Sequence, residues 1–149
     1  MIAARRGQVG LPARAVNGTV ATVVGRAGVP VPGLYMLRVH GRRSGALHVT
    51  PVMVVREMGS RYLVAPRGET EWTRNLRAAG WGELMRGRRI DRVRAVEVEG
   101  RERQRALRAY LRRYGWLTRR LFDLPPGALR GEDLRHIAPQ HAVFRLAPG

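Results

Sequence analysis

Cysteine and lysine are both absent from this chain. Without cysteine there is no disulfide framework and no thiolate metal site. Histidine is scarce as well: His40, His48, His136 and His141 lack metal-ligand spacing, so neither a structural nor a catalytic zinc is expected. No run approaches the ~20 apolar residues of a membrane-spanning helix. The longest weakly apolar stretch, Thr19 to Val24, is also too short for a signal-peptide core and ends at Gly25-Arg26. These absences point to a cytoplasmic protein. Catalytic groupings are missing too: there is no Ser/His/Asp or Cys/His arrangement for nucleophilic attack and no carboxylate pair suited to hydrolysis.

What is present is a 149-residue chain with an ordinary apolar fraction of 44%, enough for one domain with a real core. Its charge is extreme, +17, and all 28 basic residues are arginine. Such a field attracts anions, whether nucleic acid, acidic lipid or a polyanionic cofactor. Exclusive arginine usage is also what a GC-rich genome produces, so the charge alone is weak support for nucleic-acid binding.

Along the chain, Met1 to Gly10 reads as a loose basic arm and Leu11 to Ala27 has helical apolar spacing. After a Pro/Gly break, the strand Leu34 to His40 and the strand His48 to Arg56 form a hairpin. Pro51 inside the second strand predicts an edge or a bulge. A third strand covers Arg61 to Pro66. Thr70 to Ala79 reads as a helix, with Thr70 as N-cap and Gly80 after its end. Trp81 to Arg86 and Arg89 to Glu99 make another hairpin, and the slip from Val93/Ala95 to Val96/Val98 predicts a bulge. Arg101 to Phe122 is strongly helical, with Gly115 as a possible division. A short helix over Glu132 to Ala138 and a strand from His141 to Leu146 complete the pattern. Antiparallel hairpins with helices gathered outside them define an α+β fold whose sheet closes, or nearly closes, into a small barrel.

The first hairpin turn, Gly41-Arg42-Arg43-Ser44-Gly45, is packed with donors. Two glycines permit a tight turn. Successive backbone N–H groups can then converge on one point as an anion nest, and the two arginines add guanidinium forks. The alternative is a solvated basic hairpin tip.

Four strings in order carry a family resemblance: Gly41-Arg42-Arg43-Ser44-Gly45, Thr50-Pro51, Val64-Ala65-Pro66-Arg67-Gly68, and Trp72-Thr73-Arg74-Asn75-Leu76-Arg77-Ala78. From about Leu34 to Val98 the chain resembles the deazaflavin-dependent nitroreductases, a branch of the split β-barrel flavin and deazaflavin oxidoreductases. The resemblance implies a split β-barrel that binds coenzyme F420, an 8-hydroxy-5-deazaflavin whose tail carries a phosphodiester and a poly-γ-glutamate chain. It assigns cofactor contacts to Gly41, Arg42, Arg43, Ser44, Gly45, His48, Thr50, Pro51, Arg67, Trp72, Asn75 and Leu76. In the residues themselves, Trp72 and Leu76 fit a core as well as a site, and Asn75 fits a barrel cap as well as a cofactor contact. Two positions depart from the family: His48 stands where many relatives carry a basic residue, and Thr73 where they carry an aromatic one. The helix after the barrel is implied to close over the ring, which makes Tyr110, Tyr114 and Trp116 candidate walls of the substrate pocket.

The implied chemistry is hydride transfer from the reduced cofactor to a small organic acceptor: a quinone, an enone or a nitroaromatic compound. Its partners are that acceptor and, through the arginine stripe of the long helix, possible peripheral contact with anionic lipid; the chain is expected as a monomer or homodimer. Two rival classes remain, an FMN enzyme on the same barrel and a non-enzymatic basic module. Specific nucleic-acid binding has thin support, because Tyr35 and Tyr62 are the only strand tyrosines and both alternate with apolar residues.

Overall fold

The computed structural model describes residues 32–118 and 131–149. The elements in chain order are β1 (Leu34–His40), β2 (Leu47–Glu57), β3 (Ser60–Val64), α1 (Glu71–Ala79), β4 (Trp81–Arg86), β5 (Arg89–Glu97), α2 (Gly100–Thr118), α3 (Gly131–Ile137), a 3-10 turn (Ala138–Gln140) and β6 (Val143–Pro148). The six strands close into an antiparallel barrel in the order β1-β2-β3-β6-β5-β4. The proposed basic arm and the helix over Leu11 to Ala27 lie outside the described residues.

Strand alternation builds two cores from one sheet. Leu37, Val39, Val52, Val54, Leu63, Leu84, Val93 and Phe144 fill the barrel interior. Met53, Val55, Tyr62, Val64, Val98 and Val143 face outward and are covered by Leu107, Tyr110 and Leu111 of α2 and by Leu134 and Ile137 around α3. The unbroken apolar run Val52-Met53-Val54-Val55 follows from this, since β2 is buried on both faces.

The same arrangement explains an expectation that fails. There is no bulge in β5: its pairing with β6 keeps one register from Val93↔Pro148 to Glu97↔Phe144. Val98 N–H then donates to Val143 O in continuation. Val96 and Val98 simply belong to the outer face, where Val98 is buried under α2 while Val96 remains 53% exposed. Pro51 sits on an edge-like stretch, as expected, but again without a bulge. It lies opposite Met36 in an unbroken β1–β2 register, and β3 becomes the second neighbour only from Val54 onward. Gly115 does not divide α2, which runs through it.

Helix α1 closes one barrel end. Thr70 is its N-cap with extended backbone, and the Gly80 N–H donates back to Leu76 O. Leu76 is fully buried and joins the interior cluster. Gly82 makes room for it: a Cβ there would meet Leu37 Cδ1 at 3.1 Å and Leu76 Cδ1 at 3.5 Å. Arg77 fastens the outer side of α1, with Nε donating to Glu97 Oε1 at 2.6 Å and Nη2 to Glu69 Oε1 at 2.8 Å.

Candidate cofactor site

Loop 41–46 joins β1 to β2 at the end of the barrel that α1 closes. Gly45 adopts φ +76°, a left-handed conformation that suits glycine. Inside the turn, Gly41 N–H donates to Ala46 O at 2.7 Å and Gly45 N–H to Gly41 O at 2.9 Å. The Ala46 N–H donates to Ser44 Oγ at 3.2 Å. The nest expected from sequence is therefore smaller than the loop, because most of its donors are already taken. The N–H groups of Arg43 and Ser44 have no acceptor among the described residues.

Two arginines that look alike in sequence do different work. Arg42 turns toward α1: its backbone N–H donates to Asn75 Oδ1 at 3.1 Å and its Nη1 to the same oxygen at 2.8 Å. Arg42 Nη1 also pairs with Glu71 at 3.2 Å, and the hydrogen bond from Arg42 holds the Glu71 carboxyl below its ordinary range. Arg43 is exposed and has no carboxylate partner among the described residues. Asn75 is 2% exposed and pins the loop to the helix.

The other assigned positions fall around this clamp. His48 is exposed, yet its ring lies across Gly41, where a Cβ would stand 2.8 Å from His48 Nε2. Thr50 faces the barrel interior with its Oγ1 buried and without a partner, and Thr70 Oγ1 is in the same condition at the start of α1. A buried hydroxyl left unbonded is costly in a finished core, so two of them at one barrel end mark a place for a polar guest. Pro51 is half-buried on the outer face. Arg67 is exposed beyond β3, on the same barrel end as the loop. Trp72 is half-buried against Phe144, 6.1 Å between ring centroids, and Leu76 is core.

Thr73 is fully buried: it accepts the Thr70 N–H at 3.0 Å and donates to Thr70 O at 2.8 Å. That internal role explains its departure from an aromatic residue. Glu71, a site neighbour through its pairing with Arg42, was not among the residues expected from sequence, although a helix start three residues after Arg67 carried the signal.

The aromatic residues of α2 are not brought to this end. Tyr110 is 1% exposed within the outer core. Tyr114 donates its hydroxyl to Val54 O at 2.6 Å and borders a groove of about 570 Å³ with Gly33, Tyr35 and Arg86. That groove lies at the opposite barrel end, roughly 20 Å away along β1 at strand rise. The Trp116 side chain lies outside the described residues.

Residues 12–116 match the family described as F420H2-dependent quinone reductase. The chain belongs to that family. As a member of the F420H2-dependent quinone reductases it is an oxidoreductase, and the barrel agrees with solved structures. An F420-H2 dependent reductase, FDR-A, superposes with a TM-score of 0.55 at 22% identity, covering 80% of this chain and 100% of that one. A domain-swapped dimer gives 0.54 at 20% identity, covering 91% and 99%. The heme storage protein HutZ from Vibrio cholerae gives 0.56 at 14% identity, covering 78% and 82%. At such identities the likeness carries the fold alone. No curated protein matches the sequence.

Two further features bear on how this family member is read. No helix among the described residues is long and apolar enough to cross a membrane. Among the described residues the apolar face of α2 is spent on the barrel, and the exposed large hydrophobics are Met58, Ile90 and Val96, none of them on that helix. Close behind the Arg67 segment, His141 is buried and its Nδ1–H donates to Ala65 O at 2.8 Å. Burial holds this imidazole below its ordinary pKa of 6.5. The folded state thus keeps His141 neutral where the unfolded chain binds a proton, and stability falls as pH drops below about 6.5. Thermal melts between pH 7 and 5 should show this fall in the parent. In His141→Gln it should be weaker, since the paired carboxylates titrate lower.

Proposed function

We propose that the chain binds coenzyme F420 at the α1 end of the barrel and passes reducing equivalents to a small organic acceptor. The observation that carries this reading is the clamp of Asn75 on Arg42. It fixes the loop in which Arg43 and Ser44 are exposed and their N–H groups have no acceptor among the described residues. This cluster of positive donors suits the phosphodiester and carboxylates of the coenzyme tail. The dipole of α1 and exposed Arg67 add to the same field, and the orphan hydroxyls of Thr50 and Thr70 are hydrogen-bonding groups for the polar edge of a bound ring.

When bound, the reduced deazaflavin supplies the hydride. The protein's part is to hold the tail, orient the ring and exclude water. In this reading the enzyme is cytoplasmic, works as a monomer or homodimer, and takes a quinone, enone or nitroaromatic acceptor.

Equilibrium dialysis against F420 and FMN tests the cofactor. Tighter retention of FMN, or of neither, overturns the reading. Arg43→Ala should weaken F420 binding by about 1–3 kcal/mol, the scale of a lost charge-assisted hydrogen bond, without lowering the melting temperature. An unchanged affinity would remove Arg43 from the site.

A further inference from the structure

We infer that the barrel end opposite loop 41–46 carries a second anion site, one that takes a small organic molecule with three or more phosphate or carboxylate charges. This inference stands apart from the cofactor reading, because it uses other residues at the other end of the fold.

Strand parity brings the cluster about. Arg56, Arg61 and Arg86 occupy interior-facing positions at the last turn of β2, the start of β3 and the end of β4. Alternation that buries Val54, Leu63 and Leu84 inside the barrel therefore places arginines across its mouth. Tyr35 lies among them, and the Arg86 guanidinium sits over its ring at 5.5 Å from the centroid. Arg112 and Arg113 of α2 form the opposite wall of the same 570 Å³ groove. Five arginines from four elements thus surround a volume suited to a small ligand.

Their pairing separates them from the arginines that the fold holds in ion pairs. Arg38, Arg42, Arg74, Arg77, Arg103 and Arg145 each have a carboxylate partner. In the groove only Arg61 has one, Asp91 at a loose 3.8 Å. No carboxylate pairs with Arg56, Arg86, Arg112 or Arg113 among the described residues. Arg113 meets only the Tyr114 hydroxyl, and Glu57 is the one acidic residue on the wall. Like charges around one groove repel one another unless an anion neutralises them. Guanidinium forks from facing walls match phosphate and carboxylate oxygens, while Ala109 and the Tyr35 ring offer an apolar surface for the body of the molecule.

Calorimetric titration of the full chain at 0.1 M salt, with ATP and separately with citrate, tests the site. One-to-one binding of at least one probe is expected, and which one binds separates a phosphate-bearing from a carboxylate-bearing ligand. The double variant Arg56→Gln/Arg86→Gln should weaken that binding at least about tenfold, and Arg112→Gln on the other wall by about three- to tenfold. Arg43→Ala should leave it unchanged. Exposed Arg94 and Arg101 provide the control: Arg94→Gln/Arg101→Gln should change the affinity less than about twofold, the residue of general field effects. Binding of neither probe, more than one equivalent bound, or equal loss in the control variant would overturn the inference. Loss of F420 binding in Arg43→Ala with the anion retained would leave both sites standing as separate.

Discussion

Arg103→Ala should lower the stability of the fold by about 3–5 kcal/mol, the scale of two buried hydrogen bonds from a charged group at about 1.5–3 kcal/mol each. Arg103 is only 6% exposed. Its Nε donates to Val98 O at 2.9 Å and its Nη1 to Ala138 O at 3.0 Å. Its Nη2 reaches Glu99 at 2.9 Å and Glu97 at 3.2 Å. One side chain thus ties the end of β5, the start of α2 and the 3-10 turn before β6. Alanine takes this donor from the Val98 carbonyl and leaves the Ala138 carbonyl with the His141 N–H alone, at 3.1 Å. Glu97 keeps Arg77, and Glu99 is mostly exposed, so most of the cost falls on the carbonyls and the emptied volume. In thermal denaturation the loss should appear as a drop of roughly 6–20 °C for a chain of this size. Arg103→Lys should recover little, because one ammonium cannot span both carbonyls and the acids. A melting temperature within a degree or two of the parent would show that the clasp contributes nothing net.

Asn75→Ala should combine a stability loss of about 1–3 kcal/mol with a fall in F420 affinity of about tenfold or more. Asn75 Oδ1 accepts both the Arg42 N–H and the Arg42 guanidinium. Without it the N–H loses its acceptor, and the turn loses its anchor on α1. Arg42→Ala keeps the backbone bond and should therefore cost less on both counts. Asn75→Asp keeps an acceptor and should rescue much of the affinity. Melts and cofactor titrations of the three variants check this order. If Asn75→Ala binds F420 like the parent, the clamp does not shape the site.

Much of the fold was legible in local pattern. Alternation marked the strands, Thr70 and Gly80 marked the ends of α1, and the donor-rich turn stood out by composition. Those features depend on neighbours close in sequence, and such signals survive without tertiary information. Val96 and Val98 were misread as a bulge for a definite reason. Period-two reasoning assumes one buried face, and a strand with a helix on its outside has apolar residues on both. Arg103 was likewise hidden as one more charge, although its spacing to Leu107, Tyr110 and Tyr114 puts it on the buried face of α2.

The site divides along the same line. The sequence by itself determined the barrel-and-helix class, the position of the Gly-Arg turn and the family to which the strings from Gly41 to Ala78 belong, because each rests on residue type and spacing. Only the tertiary structure decided that Arg42 is consumed by Asn75 and Glu71 while Arg43 stays outward. The choice depends on an amide 33 positions away in the chain. The same holds for Tyr110 and Tyr114: their helix packs them onto the outer core and the far barrel end, away from the loop. Adjacent arginines and successive helix turns look equivalent along a chain, and the partner that distinguishes them comes from an element folded against them.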